Sequence, residues 1–143
     1  MILDLLMEIE KIKQQDGKSI MQPANVENIA AIKEWIAKSV MDNVSIEEYE
    51  KLLNLVNGIE FNGLVIYNAD LNDENNGFIA ANEIWRENEW ESNYLFFGDA
   101  NISWYCLDVD KRVYLELDKP SGEVLEKYIN FQAMVTEAIK NVL

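Results

Sequence analysis

The fold class is decided by residues 94–118, which read YLFFGDANISWYCLDVDKRVYLELD. Residues 94–97 are apolar and aromatic and end at Gly98-Asp99, as is typical of a strand that runs into a turn. Residues 102–109 and 113–118 alternate between two faces, as β-strands do, and Asp110-Lys111 between them fits a hairpin turn. This stretch therefore predicts consecutive antiparallel strands.

The segments outside this stretch carry apolar residues at the spacing of amphipathic helices. They predict helices over residues 2–16, 26–40, 46–56, 78–91 and 131–142. Asn25 and Asn130 are the expected N-caps of two of them, because an asparagine side chain can accept a free backbone N–H. Ser45-Ile46-Glu47-Glu48 has the capping-box pattern, in which the Ser45 hydroxyl accepts a backbone N–H and Glu48 reaches back to the Ser45 amide.

Two further segments complete the predicted sheet. Phe61 to Tyr67 predicts one strand, with Asn62-Gly63 as a bulge or a turn at its junction. Residues 124–129 fit either a short edge strand or a loop. Because helices lie at both ends of consecutive strands, the sequence indicates an α+β fold: a single domain over residues 1–143, with a twisted, mainly antiparallel sheet flanked by N-terminal and C-terminal helices.

The composition narrows the chemistry of the protein. The chain has no histidine, which excludes Ser-His-Asp and Cys-His nucleophilic arrangements, and Cys106 is its only cysteine. Asp108 and Asp110 could form a carboxylate pair for hydrolysis, but aspartate is common at hairpins. Residues 70–77 resemble a calcium loop superficially and lack the glycine and glutamate that an EF-hand requires. We therefore expect no enzyme activity, no metal and no cofactor.

The charge balance indicates which partners are suitable. With 12 basic and 26 acidic residues the net charge is −14, which repels nucleic acids and anionic lipid and attracts basic protein surfaces. The chain starts without a basic leader, and no apolar run approaches the roughly 18 residues of a membrane span. The sequence thus predicts a cytoplasmic protein that binds neither nucleic acid nor membrane. Solubility alone is the alternative explanation of the charge.

The acidity is concentrated in the middle of the chain, where Arg86 is the only basic residue between Leu52 and Asp110. Part of this region is the helix predicted over residues 78–91, whose spacing places Ile79, Ile84 and Trp85 on the buried side. An exposed tryptophan among carboxylates suits an interface anchor, although Trp90 could instead pack against the sheet. The candidate partner-binding residues are those of highest acidic density: Glu74, Glu83, Glu87, Glu89, Trp90, Glu91 and Asp99.

Several motifs resemble a known family. The motifs are Glu47-Glu48-Tyr49-Glu50-Lys51-Leu52-Leu53, Asn57-Gly58, the 61–67 strand, Leu95-Phe96-Phe97-Gly98-Asp99, Trp104-Tyr105-Cys106-Leu107-Asp108 and Val113-Tyr114-Leu115. Their order and spacing resemble the SUKH (Smi/Knr-like) superfamily of immunity proteins from about Val44 to the closing helix. Residues 75–78 and 85–88 are similar to its YrhA-like branch. The chain departs from the family at Ile46, where proline is usual.

The resemblance implies both a fold and a role. It implies helices around a twisted antiparallel sheet and a protein that neutralises a toxin domain, often a nuclease, without catalysing a reaction. Some relatives serve instead as regulatory or scaffolding adaptors, and this alternative stays open. The sequence does not determine the oligomeric state.

Overall fold

The structure of the protein, a computed structural model, describes residues 2–41, 43–87 and 93–143. The helices are α1 (Ile2–Gln14), α2 (Val26–Ser39), α3 (Glu47–Leu53), α4 (Phe78–Glu87) and α5 (Phe131–Lys140). The strands are β1 (Ile59–Phe61), β2 (Leu64–Ile66), β3 (Tyr94–Asp99), β4 (Ser103–Asp108), β5 (Val113–Asp118) and β6 (Val124–Tyr128). Among the described residues, no helix combines the length and the hydropathy needed to cross a bilayer.

The strands form one antiparallel sheet in chain order, from β1 at one edge to β6 at the other. The predicted α+β fold is therefore confirmed, and residues 124–128 form the edge strand. Along the chain, helix α4 follows β2 and precedes β3, and it packs against β3. Helix α5 packs against β5 and β6. The register aligns Phe96 with Cys106 and Cys106 with Leu115, so that three buried side chains form one cross-strand row.

The prediction of a single strand over residues 61–67 is wrong, whereas the turn expected at Asn62-Gly63 is confirmed. Asn62 and Gly63 have φ values of 49° and 88° and form a two-residue turn between β1 and β2. Two positive φ angles in succession are what a tight hairpin with the right strand twist needs, and Asn-Gly supplies them at low cost. The Asn62 side chain then donates to the carbonyl of Val142 at 2.8 Å, which ties this hairpin to the end of the chain.

Only half of the capping box predicted at Ser45 is present. The Ser45 hydroxyl accepts the Glu47 backbone N–H at 3.4 Å, but Ile46 occupies the N-cap position of α3, and the predicted return contact from Glu48 is wrong. The Glu48 carboxylate instead accepts the backbone N–H of Gln132 at 3.1 Å, in the first turn of α5. The first N–H groups of any helix need hydrogen-bond acceptors. The Glu48 carboxylate serves as such an acceptor for α5 and is therefore not used at the start of α3. The caps predicted at Asn25 and Asn130 are confirmed.

Aromatic rings join the helices to the sheet. The Tyr49 ring lies between those of Phe78, Phe97 and Phe131, with ring centroids 5.0 to 5.5 Å apart. These four residues are buried and come from α3, α4, β3 and α5. The Tyr49 hydroxyl donates to the carbonyl of Tyr67 at 2.5 Å, so its one polar atom is also satisfied. The cluster fixes where α4 begins.

Gly98 has a structural role that its neighbours dictate. The β3–β4 pairing shifts register between Phe96 and Gly98, which is the bulge or turn expected of a glycine at this position. A Cβ atom at Gly98 would collide with the backbone carbonyl oxygen of Val65 on β2. Only glycine therefore allows β2 and β3 to approach this closely.

A buried carboxylate fastens the end of α1 to the following loop. Glu10 accepts hydrogen bonds from the Ser19 hydroxyl at 2.7 Å, the Ile20 amide at 2.8 Å and the Gln14 side chain at 3.2 Å. The bond from Ser19 is the largest of the causes that lower the pKa of Glu10 below its ordinary 4.5. A group whose pKa is lowered by folding stabilises the fold above its unfolded pKa and loses that contribution as the pH falls.

We therefore expect Glu10→Gln to destabilise the protein at pH 7 and to do so less as the pH falls below about 4.5. Urea midpoints at pH 7 and pH 3.5 measure this difference, with Glu8→Gln on the exposed side of α1 as the control. An equal loss for Glu10→Gln at both pH values would show that the carboxylate charge does not fasten the loop.

Candidate functional site

Helix α4 carries two of the seven candidate residues, so its orientation decides what they can contact. Its buried face consists of Phe78, Ala81 and Asn82, with Trp85 half-buried on the same side. The sequence placed Ile84 on that side, and this is wrong because the Ile84 side chain is 55% exposed. The buried position that the apolar pattern missed is a polar one, Asn82.

Asn82 joins α4 to β3 by hydrogen bonds that use both the amide nitrogen and the carbonyl oxygen of its side chain. Its amide group donates to the carbonyls of Phe78 at 2.9 Å and Phe96 at 2.8 Å. Its carbonyl oxygen accepts the Phe96 backbone N–H at 2.7 Å. Since both Asn82 and Phe96 are buried, these bonds fix the rotation of α4 and determine which side chains point outward.

The outward side of α4 shows an acidic stripe, which we define as Glu83, Ile84 and Glu87. All three side chains are exposed, and the two glutamates are one helical turn apart. No ion pair involves either carboxylate within the described part of the chain. The stripe is thus an exposed aliphatic side chain beside two carboxylates that lack a described counter-charge.

The acidic stripe is in a poor position for the stability of α4 itself. Like charges four residues apart on a helix repel each other, so Glu83 and Glu87 disfavour one another. Glu74 differs, since it is exposed in the loop just before α4, where a negative charge suits the N-terminus of a helix. Helix stability therefore accounts for the position of Glu74 and does not account for Glu83 and Glu87.

Asp99 is used inside the molecule. It ends β3 and accepts a hydrogen bond from the Tyr67 hydroxyl at 3.1 Å, while the Lys119 ammonium lies 3.3 Å from its other oxygen. Lys119 also donates to the carbonyl of Ala100 at 2.9 Å. Burial, and then the charge of Asp99, raise the pKa of Tyr67. The contacts give Asp99 a structural role at the β3–β4 turn, apart from the acidic stripe.

Half-buried aromatic rings lie beneath the acidic stripe, and the sequence reasoning did not assign them to the site. The Trp85 ring stacks on Phe96 with centroids 4.1 Å apart and meets the Trp104 ring edge-on at 5.0 Å. Trp85 also hydrogen-bonds to the Tyr67 hydroxyl, and the Lys119 ammonium lies 5.7 Å from the Trp104 ring centroid. The helical spacing of residues 78, 82 and 85 would have predicted the buried side of α4 if an asparagine had been accepted as a buried residue.

The remaining candidates, Glu89, Trp90 and Glu91, lie outside the described residues. Of the seven, the structure brings Glu83 and Glu87 together on one side of α4. It places Glu74 ahead of that helix and Asp99 in the contact with Lys119. Of the four described candidates, the two that share one surface are therefore those of the acidic stripe.

The carboxylates weighed for catalysis and cation binding have local partners. Asp108 accepts the backbone N–H groups of Asp110 and Lys111, each at 3.1 Å, and so closes the β4–β5 hairpin. Asp73 accepts the amides of the two residues at 75 and 76 and the side chain of Asn68. The amide of Asn76 is the main cause that lowers the pKa of Asp73. Over the described ranges no three His, Cys, Asp or Glu side chains are grouped as metal ligands.

No protein-family model matches the chain, and a search of curated proteins finds no similar sequence. The likeness to the SUKH superfamily therefore stays a prediction from its motifs.

Proposed function

We propose that this protein is a non-enzymatic binding protein that uses the acidic stripe of α4 to engage a basic protein surface. Following the SUKH-like motifs, the partner we propose is a toxin domain, and the role is immunity. A nuclease domain fits, because it must hold phosphate groups with lysine and arginine and so presents the complementary charge. The proposed place of action is the cytoplasm.

The observation that carries the proposal is the exposed pair Glu83 and Glu87 beside Ile84. The two carboxylates repel each other across one helical turn, and neither has a described counter-charge. Side chains that destabilise their own helix are typical of functional sites, where they serve to contact a partner. The exposed Ile84 adds apolar area that a partner can cover.

The mechanism that follows is stoichiometric blocking. Acidic side chains steer a basic partner into place and can raise the association rate roughly 10- to 1,000-fold. Once docked, the carboxylates occupy the positions that substrate phosphates would take. Buried Asn82 keeps α4 in one orientation, so the stripe is already formed before the partner arrives.

A titration of toxin activity tests the immunity role. The tagged full chain is purified from its native host, and the partner is identified by mass spectrometry. Toxic or nuclease activity of that partner is then measured against increasing amounts of this protein. We expect activity to fall linearly and to reach zero near one equivalent, because a tight blocking complex consumes the toxin one molecule at a time.

Two results would contradict the proposal. Activity that is unaffected by excess protein would exclude neutralisation. Capture of a partner without any toxic activity would favour the regulatory or scaffolding role that the sequence left open.

A further inference from the structure

A groove with both polar and apolar walls lies at the end of the sheet where β4 begins and β5 ends. Its volume is about 660 Å³, within the usual range of ligand sites. Ser103, Tyr105 and Glu116 line it from the sheet, and Asn62 and Val142 close one end through their hydrogen bond. Helix α4 contributes nothing to the lining, so the groove is separate from the acidic stripe.

Glu116 is the one charged residue in the groove lining, and its neighbours hold it in place. The Ser103 hydroxyl donates to Oε2 at 2.6 Å, and the Tyr128 hydroxyl donates to Oε1 at 3.0 Å. Tyr105 is directly opposite Glu116 across the β4–β5 pair. Burial, followed by the charge of Glu116, raises the pKa of Tyr105 to about 12, so this hydroxyl stays protonated. The carboxylate is therefore oriented by hydroxyl groups and not by cations.

Within the described residues, the Glu116 carboxylate has no ion-pair partner. Across the β5–β6 pair it is directly opposite Glu126, and like charges in that position destabilise a sheet. A bound cation would relieve this repulsion.

We propose that the groove binds an alkylguanidinium group, such as the side chain of an arginine, with Glu116 as its anion. Each Glu116 oxygen accepts one hydroxyl and keeps further acceptor capacity, which is the paired arrangement that a planar guanidinium takes. The Ile102 side chain at the groove edge is 68% exposed and can cover the aliphatic stem. Asn101 and Asn141 on the rim can hydrogen-bond to the group that carries it.

The shape and charge of the groove favour this ligand over a metal ion. A divalent cation such as calcium takes six or more oxygen ligands, several of them charged, and the lining holds a single carboxylate. The volume is also far larger than one ion requires, whereas an arginine with flanking backbone fills it more fully.

Amide chemical shifts of the 15N-labelled full chain test the proposal, with Nα-acetyl-L-arginine amide as the probe. We expect saturable shifts centred on Ser103, Tyr105 and Glu116, with a dissociation constant on the order of 1 mM. The citrulline analogue, which has the same shape without the charge, should bind at least tenfold more weakly. Glu116→Gln should weaken arginine binding by a similar factor, and Glu137→Gln, at an exposed position of α5, should leave it unchanged.

The same spectra show whether Glu116→Gln is folded, and the wild-type titration locates binding without any variant. A glycine-flanked arginine tripeptide distinguishes the source of the group: binding at least tenfold tighter than the amide indicates a protein segment, and equal binding indicates a small free guanidinium. No saturable shifts, shifts centred elsewhere, or equal binding of citrulline would overturn the proposal. None of these outcomes depends on Glu83 or Glu87, so the groove and the proposed function can fail separately.

Discussion

Asn82→Ala is expected to lower the free energy of unfolding by about 3 kcal/mol, because it leaves several buried polar groups without partners. The truncation removes the acceptor of the Phe96 N–H and the donor to the Phe96 and Phe78 carbonyls. Asn82 is 1% exposed and Phe96 is fully buried, so water cannot easily replace the lost bonds. For a chain of this size the loss corresponds to a fall in Tm of roughly 10 °C.

Urea denaturation followed by circular dichroism measures this cost. Asn72→Ala is the matched control, since Asn72 is exposed in the loop before α4 and has no described side-chain hydrogen bond. The control should change stability by less than about 0.5 kcal/mol. A loss of similar size in both variants would mean that Asn82 does not hold α4 against β3.

The sequence predicted those parts of the fold in which the local order of apolar and polar residues shows the secondary structure. The alternation in residues 102–109 and 113–118 predicted β4 and β5, because this period is local to each strand. It did not show that β4 is buried on both faces. Asn62-Gly63 was recognised as a bulge or a turn, but the division into β1 and β2 was missed because each has three residues, too few for alternation to separate two strands from one. There the turn chemistry was the better guide.

Tertiary contacts explain the other errors. Glu48 serves the first turn of α5, and nothing local to Ser45 could reveal a partner at Gln132, 84 residues away. Asn82 is polar and buried because β3 offers it the backbone groups of Phe96, which lie 14 residues further along the chain. An apolar pattern counts such a residue as exposed. The helix is then assigned the wrong rotation about its own axis, and Ile84 is placed on the buried side.

The candidate site was predictable in its charge and not in its geometry. Acidic density drew attention to α4, but charge counts treat Asp99 and Glu87 alike. The structure separates them, because Asp99 lies 3.3 Å from Lys119 while Glu87 has no described ion pair. Which carboxylates are left for a partner depends on where the cations are, and that is a property of the fold.

Reversing both charges of the acidic stripe is expected to slow binding strongly without harming the fold. In the variant Glu83→Lys/Glu87→Lys the carboxylates that would steer a basic partner become repulsive, so association should slow by roughly tenfold or more at low salt. Stability should change little, because both side chains are exposed and two lysines four residues apart repel each other much as two glutamates do. Thermal unfolding of the two proteins checks this second point.

The matched control is Glu123→Lys/Glu137→Lys, which reverses two exposed carboxylates away from α4. Both double variants raise the net charge from −14 by the same four units, so the pair separates a local surface from overall charge. The control should keep an association rate within about threefold of the wild type, because steering depends mostly on charges close to the docking surface.

The most direct test of the proposed binding surface is the association rate constant with the captured partner, measured for these three proteins from low to high ionic strength. We expect a fast rate for the wild type that falls steeply as salt increases, a similar curve for the control, and a slow, nearly flat curve for Glu83→Lys/Glu87→Lys. Equally fast, salt-sensitive association of the stripe variant would contradict the account and place the partner elsewhere on the protein.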